Sequence, residues 1–169
     1  DPKHFPTLVE RFRYHYLAKD HELDLFQGMR DLLENLRNQG FMLGVATGKP
    51  RRGLDRSLGH HRLEHVFHGT RTADESFAKP HPGMLLDLSD RLGVPVRKML
   101  MIGDTTHDLQ MAQAAGVDAI AVTYGAHPAD ALRSANSLAC LDNVEVLGNW
   151  LMQNLYQTSQ VPAESSKAS

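Results

Sequence analysis

The sequence predicts an α/β fold in which parallel strands alternate with helices, and three observations point to it. First, short apolar runs, FMLGVAT (41–47), KMLMIGD (98–104) and AIAVTYG (119–125), read as strands buried on both faces. Second, amphipathic helical patterns separate these runs, which calls for right-handed crossovers between parallel strands. Third, the strand ends carry polar groups: VATGK, IGDTTHD and TYGAH. Parallel strands bring such ends to one rim, where ligands of α/β sheets bind.

The elements follow in order. Phe5, Leu8, Val9, Phe12, Tyr16 and Leu17 recur at helical spacing and predict a helix over about 5–19. KDHELDLFQG reads as a connector. Met29, Leu32, Leu33 and Leu36 mark a second helix, which Gly40 stops. After the 41–47 strand come a helix over about 51–58, a short strand at HVFHGT (65–70) and a helix over about 81–92. KMLMIGD is followed by the helix HDLQMAQAA, closed by Gly116, and then by AIAVTYG. A short helix near 128–135 leads to LACLD, and a last helix over about 144–155 carries Val146, Leu147, Trp150 and Leu151. The polar end, TSQVPAESSKAS, is expected to be disordered.

Composition bounds the function. The 169 residues suit one domain, or a domain with a small appendage. At 41% hydrophobic and 22% charged, the chain reads as globular. A net charge of −2 gives no electrostatic case for nucleic acid. No apolar run approaches the roughly 20 residues that span a bilayer, and no secretory signal opens the chain. Cys140 is the only cysteine, so no internal disulfide forms, and a cytoplasmic location is expected. The opening DPKHFPTLVERF lacks an initiator Met and runs directly into a helical pattern, as a fragment or processed product would.

Four stretches carry candidate chemistry. Asp104 ends its strand, and Asp108 lies four residues on, in the first turn of the next helix. Two like charges so close need a cation, a shared proton or open water. Hard oxygen ligands at a strand end suit Mg²⁺, which keeps several waters and bridges to phosphate. Ordinary capping, with Asp108 favouring the helix N-terminus, explains the same residues. Thr47 and Gly48 follow a buried strand, where a hydroxyl and free N–H groups hold an anion or simply make a turn. Lys79 lies in AKPHP, whose prolines stiffen the loop and fix the ammonium, unless it is a surface lysine in a turn. His60, His61, His65 and His68 cluster in GHHRLEHVFH, and His61 and His65 have the i, i+4 spacing of a zinc site. No glutamate stands next to the first histidine as in a zincin helix, and a strand beginning near His65 breaks the helical face, so a solvated surface cluster is the better reading.

Taken in this order, VATGKP (45–50), KPHP (79–82) and MIGDTTHDLQMAQAAGVDAIAVTYG (101–125) resemble the haloacid dehalogenase-like hydrolase superfamily, in its phosphoglycolate phosphatase-like branch. LFQGMRDLLENLRNQG before the first strand resembles that branch too. The resemblance covers roughly residues 5–155 and implies a Rossmann-like parallel sheet with flanking helices and a helical cap. It implies that Thr47 and Gly48 bind the substrate phosphate. It further implies that Lys79 steadies the nucleophile and the transferring phosphoryl group, and that Asp104 and Asp108 hold Mg²⁺, Asp104 directly and Asp108 directly or through water. The partner implied is a small phosphorylated metabolite; the resemblance leaves the oligomeric state open.

One departure is large. The family opens with an Asp-x-Asp-Gly-Thr motif whose first Asp becomes an aspartyl-phosphate, and no such motif occurs here. The expected organisation is therefore a partial helical cap (1–27), a hydrolase core lacking its central strand (28–157) and a disordered tail (158–169). Such a strand buries about five apolar side chains at roughly 1.5–3 kcal/mol each, comparable with the whole stability of a domain, roughly 5–15 kcal/mol. Four functions compete: a Mg²⁺-dependent phosphomonoester hydrolase, a sugar-phosphate mutase of the same fold, a metal-free dehalogenase, and a non-catalytic remnant that binds phosphate or a partner. The Asp104/Asp108 pair argues against the dehalogenase, and the absent motif leaves the chain by itself inactive on this reading.

Overall fold

The computed structural model describes residues 24–158, with side chains to residue 155. The expected helix at 5–19, most of the cap remnant and the tail beyond Thr158 lie outside the described residues. Within them, helices and strands alternate as expected: α1 (Met29–Asn38), β1 (Gly44–Thr47), α2 (Arg51–His61), β2 (Gly69–Thr72), α3 (Gly83–Leu92), a 3₁₀ turn (Val96–Lys98), β3 (Leu100–Gly103), α4 (Thr106–Ala115), β4 (Asp118–Val122), α5 (Ala129–Arg133), β5 (Ala139–Leu141) and α6 (Val144–Thr158). None of the described helices is long and apolar enough to cross a membrane.

All strand pairs are parallel, in two groups. β1 pairs with β2, Gly44 opposite Gly69 and Thr47 opposite Thr72. β3, β4 and β5 form the other sheet, in that order. Among the described residues no ladder joins β1 to β3. The edges show it: Ile102 on β3 is 37% exposed and Met42, just before β1, is 47% exposed. The strands expected to be buried on both faces are thus only partly covered at β1 and β3, while Ala119 to Val122 of β4 are buried throughout.

Helices pack on both faces. Along β4, Ala119 and Ala121 enter one apolar cluster with Met84 and Leu85 of α3 and Leu109, Met111 and Ala112 of α4. Ile120 and Val122 enter the opposite cluster with Leu36 of α1 and Leu147 and Leu151 of α6. This is the period-two alternation of a strand covered on both sides. Ala46 of β1 packs on the first cluster, so one core reaches both sheets. Close approach matters at Gly69, where an added Cβ would lie 3.2 Å from side-chain atoms of both Leu88 and Leu92 of α3.

Two boundaries differ from expectation for physical reasons. β1 begins at Gly44 rather than 41, because the His68 ring accepts the Leu43 N–H at 3.0 Å in place of a ladder carbonyl. The strand expected at 65–70 forms at Gly69–Thr72, and Val66 is fully buried from the turn that precedes it. The histidine cluster falls in the end of α2 and that turn. No group of three or more potential metal ligands occurs among the described residues, so the zinc arrangement does not form there.

The loops after β1 and β2 are fastened together. Ala73 N–H donates to the Lys49 carbonyl at 3.2 Å. Asp74 accepts the Arg51 N–H at 3.0 Å and so caps α2 from another loop. Arg51 also donates to both Glu75 oxygens, at 2.8 and 2.7 Å. This fork holds the Glu75 carboxyl down at about 2, from an ordinary 4.5. The stabilisation is therefore fully present above about pH 4.5 and lost as the pH falls through about 2. Glu75→Gln is expected to remove that slope, so that urea midpoints of variant and native protein converge on acidification from pH 5 to 2. At neutral pH the loss stays below about 1 kcal/mol, because the pair is one-third exposed.

Candidate active site

The acid pair is built on the β3–α4 turn. Thr105 is the N-cap of α4, with extended backbone (φ −128°, ψ 153°). Its Oγ1 accepts the Asp108 N–H at 3.2 Å, and Asp108 Oδ2 accepts the Thr105 N–H at 3.0 Å and hydroxyl at 2.8 Å. That is a capping box with aspartate at its third helical position. The cap is thus Thr105 rather than Asp104, and the capping explanation of Asp108 describes one of its two oxygens.

The other oxygen, Oδ1, meets the Lys79 ammonium. Asp108 is 2% exposed and Lys79 is mostly buried, so the pair is sheltered from water. A buried carboxylate without such a partner is costly. Lys79 arrives on the β2–α3 loop, as the stiff AKPHP stretch predicts, and its peptide to Pro80 is cis. Gly103, the last residue of β3, admits this packing: an added Cβ would lie 2.3 Å from the Asp108 Cβ.

Asp104 is held differently. Its Oδ2 accepts the Ala126 N–H at 2.8 Å, and its backbone carbonyl accepts the His127 N–H at 3.1 Å. Its side chain lies against Gly125, where an added Cβ would fall 2.1 Å from Oδ2. Tyr124, in the same loop, is pushed up in pKa by burial first and by the Asp104 charge second. Its hydroxyl is buried and has no hydrogen-bond partner among the described residues.

Thr47 ends β1 and Gly48 follows it. Thr47 Oγ1 accepts the Lys49 N–H at 3.1 Å, which leaves its own proton to donate. Beside Gly48 an added Cβ would meet nothing within 4 Å, so the backbone there borders open space. The structure thus joins Lys79 to Asp108 and places Asp104 at the same turn. Thr47 and Gly48 stand at the end of their own strand, with no hydrogen bond to the acids or to Lys79 among the described residues.

The donor set fits a small hard cation. Among the described residues the set is two carboxylates with oxygen-only chemistry and no third potential ligand, which suits Mg²⁺ when water and phosphate complete its shell. One Asp104 oxygen has no hydrogen-bond partner among the described residues, whereas both Asp108 oxygens are engaged. Sequence reasoning missed the grip of Gly125, Ala126 and His127 on Asp104, although TYGAH stood out as a polar strand end. It also missed the Asp74–Arg51–Glu75 tie, which pairs residues 23 and 24 apart.

Acids beyond the carboxyl end of one strand, one of them paired with a lysine from a neighbouring loop, define an α/β protein with a charged site at the rim of its parallel sheet. Comparison with known proteins makes the class particular: residues 2–122 match the model of the haloacid dehalogenase-like hydrolases, and the chain belongs to that family. A phosphoglycolate phosphatase of Aliivibrio fischeri is 40% identical over 118 residues, 68% of this chain and 52% of that protein. One from Rhodospirillum rubrum is 35% identical over 148 residues, 85% of this chain and 60% of that protein. A hydrolase from Pseudomonas syringae shares the fold, with a TM-score of 0.81 at 22% identity, over 91% of this chain and 74% of that one. The chain spans about half the length of the curated relatives it matches.

Gly103→Ala tests the packing under the acid pair. It is expected to destabilise the protein by about 1–3 kcal/mol in urea unfolding, the usual cost of overpacking. Gly48→Ala, facing open space, is expected to change stability by less than about 0.5 kcal/mol.

Proposed function

We propose that the protein is a Mg²⁺-dependent phosphomonoester hydrolase acting on a small cytoplasmic phosphate ester, with phosphoglycolate the favoured substrate. The observation that carries this reading is the Lys79–Asp108 pair beside Asp104: two acids on one strand-end turn, met by a lysine from the β2–α3 loop. The names of the relatives support the substrate class.

On this reading, Asp104 would hold Mg²⁺ directly and Asp108 through water, and the bound ion would offset charge on the phosphate oxygens. Thr47 donates its hydroxyl proton, and Gly48 its N–H, to oxygens of the substrate phosphate. Lys79, anchored on Asp108, presents its ammonium to the equatorial oxygens as charge develops there. The first aspartate of the Asp-x-Asp-Gly-Thr motif attacks phosphorus in line, the ester oxygen departs as an alcohol with a proton from the second aspartate of the same motif, and water, giving a proton back to that second aspartate, hydrolyses the aspartyl-phosphate. The attacking aspartate belongs to sequence beyond residues 1–169, on a strand between β1 and β3. The open edges at Ile102 and Met42 support this placement.

The test is phosphate release from phosphoglycolate by the full-length protein, with Mg²⁺ and with EDTA. Release is expected only with Mg²⁺, falling about 10²-fold or more in Lys79→Ala and in Asp104→Asn. An intact protein with no Mg²⁺-stimulated release overturns the assignment. Residues 1–169 alone are expected to fall on the order of 10⁶-fold below the full-length rate, the scale of a lost nucleophile in a hydrolase. Appreciable turnover by that segment would overturn the external placement of the aspartate.

A further inference from the structure

We propose that His127 is a positioning residue for the cation site, clamping the strand-end turn so that Asp104 presents its free oxygen to a divalent metal. The inference rests on the Mg²⁺ reading above and adds a residue to it.

Four hydrogen bonds join the β4–α5 loop to the Asp104 turn, the longest of them between the Thr106 hydroxyl and His127 Nδ1 at 3.4 Å. Ala126 N–H reaches Asp104 Oδ2 at 2.8 Å, and His127 N–H reaches the Asp104 carbonyl at 3.1 Å. In return, the Thr106 N–H donates to His127 Nδ1 at 3.2 Å. Thr106 is the first residue of α4, where N–H groups have no partner within the helix. The capping box satisfies the N–H groups of Thr105 and Asp108, and the imidazole satisfies that of Thr106. An Nδ1 that accepts puts the proton of the neutral ring on Nε2. The ring is half-buried, belongs to neither apolar cluster, and stands edge-on to His107 with centroids 5.7 Å apart. Its backbone is stiffened by Pro128, which restricts the residue before it to extended conformations. His127 therefore fixes residue 106 from the side chain and residue 104 from the backbone.

The consequence falls on metal affinity. Mg²⁺ demands near-ideal octahedral geometry, so a ligand carboxylate on a loosened turn binds it less well. Groups that orient metal ligands typically contribute 10–100-fold to affinity. Side-chain shape supplies a discriminating pair of variants. Asparagine carries an acceptor oxygen at the Nδ1 distance from Cβ, glutamine carries one further out, and leucine carries none.

The experiment titrates the full-length protein with Mn²⁺, reading free ion by electron paramagnetic resonance, with thermal melting of each variant alongside. His127→Leu is expected to weaken Mn²⁺ binding about tenfold or more, and His127→Asn to return it to within about threefold of native. If the leucine variant does not fold, His127→Gln serves as the deficient member of the pair. Native affinity in a folded His127→Leu or His127→Gln overturns the proposal, as does an Asn variant no better than the deficient one. Asp104→Asn distinguishes the two levels of inference. Native-like Mn²⁺ binding in that variant removes the cation site itself, and the role of His127 with it. Loss there combined with unchanged binding in the folded His127 variants removes the role of His127 alone.

Discussion

A carboxylate that is 2% exposed persists only where its charge is met, and for Asp108 the surrounding fold is arranged to meet it. Lys79 neutralises one oxygen and the Thr105 N–H and hydroxyl bond the other. Each condition constrains a different element. β3 has to end in a residue without a side chain, because Gly103 lies where a Cβ would collide with Asp108. The loop leaving β2 has to carry its lysine across to the turn after β3, which ties the two-stranded sheet to the three-stranded one. α3, which follows that loop, packs on β1, β2 and α4, so the ion pair and the apolar core bridge the same division.

The rim of the sheets is stitched loop to loop. Asp74, after β2, caps the helix after β1, and His127, after β4, accepts from the first turn of the helix after β3. In each case a helix N-terminus without enough partners of its own is completed by a side chain from the next crossover. Loops tied in this way lose little freedom when a ligand arrives. This is the condition under which fixed dipoles and charges act on a reacting group without first being reorganised.

The alternation of elements was legible because buried strands and amphipathic helices have different periods, and each expected element within residues 24–158 exists. Boundaries were less so. At Leu43 the ladder stops because a histidine side chain takes the N–H, a contact spanning 25 residues that no local pattern contains. Val66 looked like strand because it is apolar, yet its burial is achieved from a turn. Asp104 and Asp108 stood out in the sequence because charge at a strand end demands explanation, and Lys79 because prolines stiffen its loop. Gly125 and Ala126 did not, because they act through a missing side chain and a backbone N–H, and neither leaves a signature in residue type.

The two acids differ in a way that follows from where the helix begins. Asp108 sits at the third helical position, where a carboxylate reaches back to the N-cap N–H, so one oxygen is engaged before any ligand arrives. Its other oxygen faces a lysine. Asp104 precedes the N-cap, so α4 makes no demand on its side chain, and the Ala126 N–H occupies a single oxygen. Among the described residues, of two carboxylates four residues apart, the one outside the helix retains an oxygen with no competing donor. On the proposed reading this makes Asp104 the direct ligand and leaves Asp108 to bind through water while it anchors Lys79. Capping and chemistry are then divided between the oxygens of one side chain, and a substitution at Asp108 disturbs both.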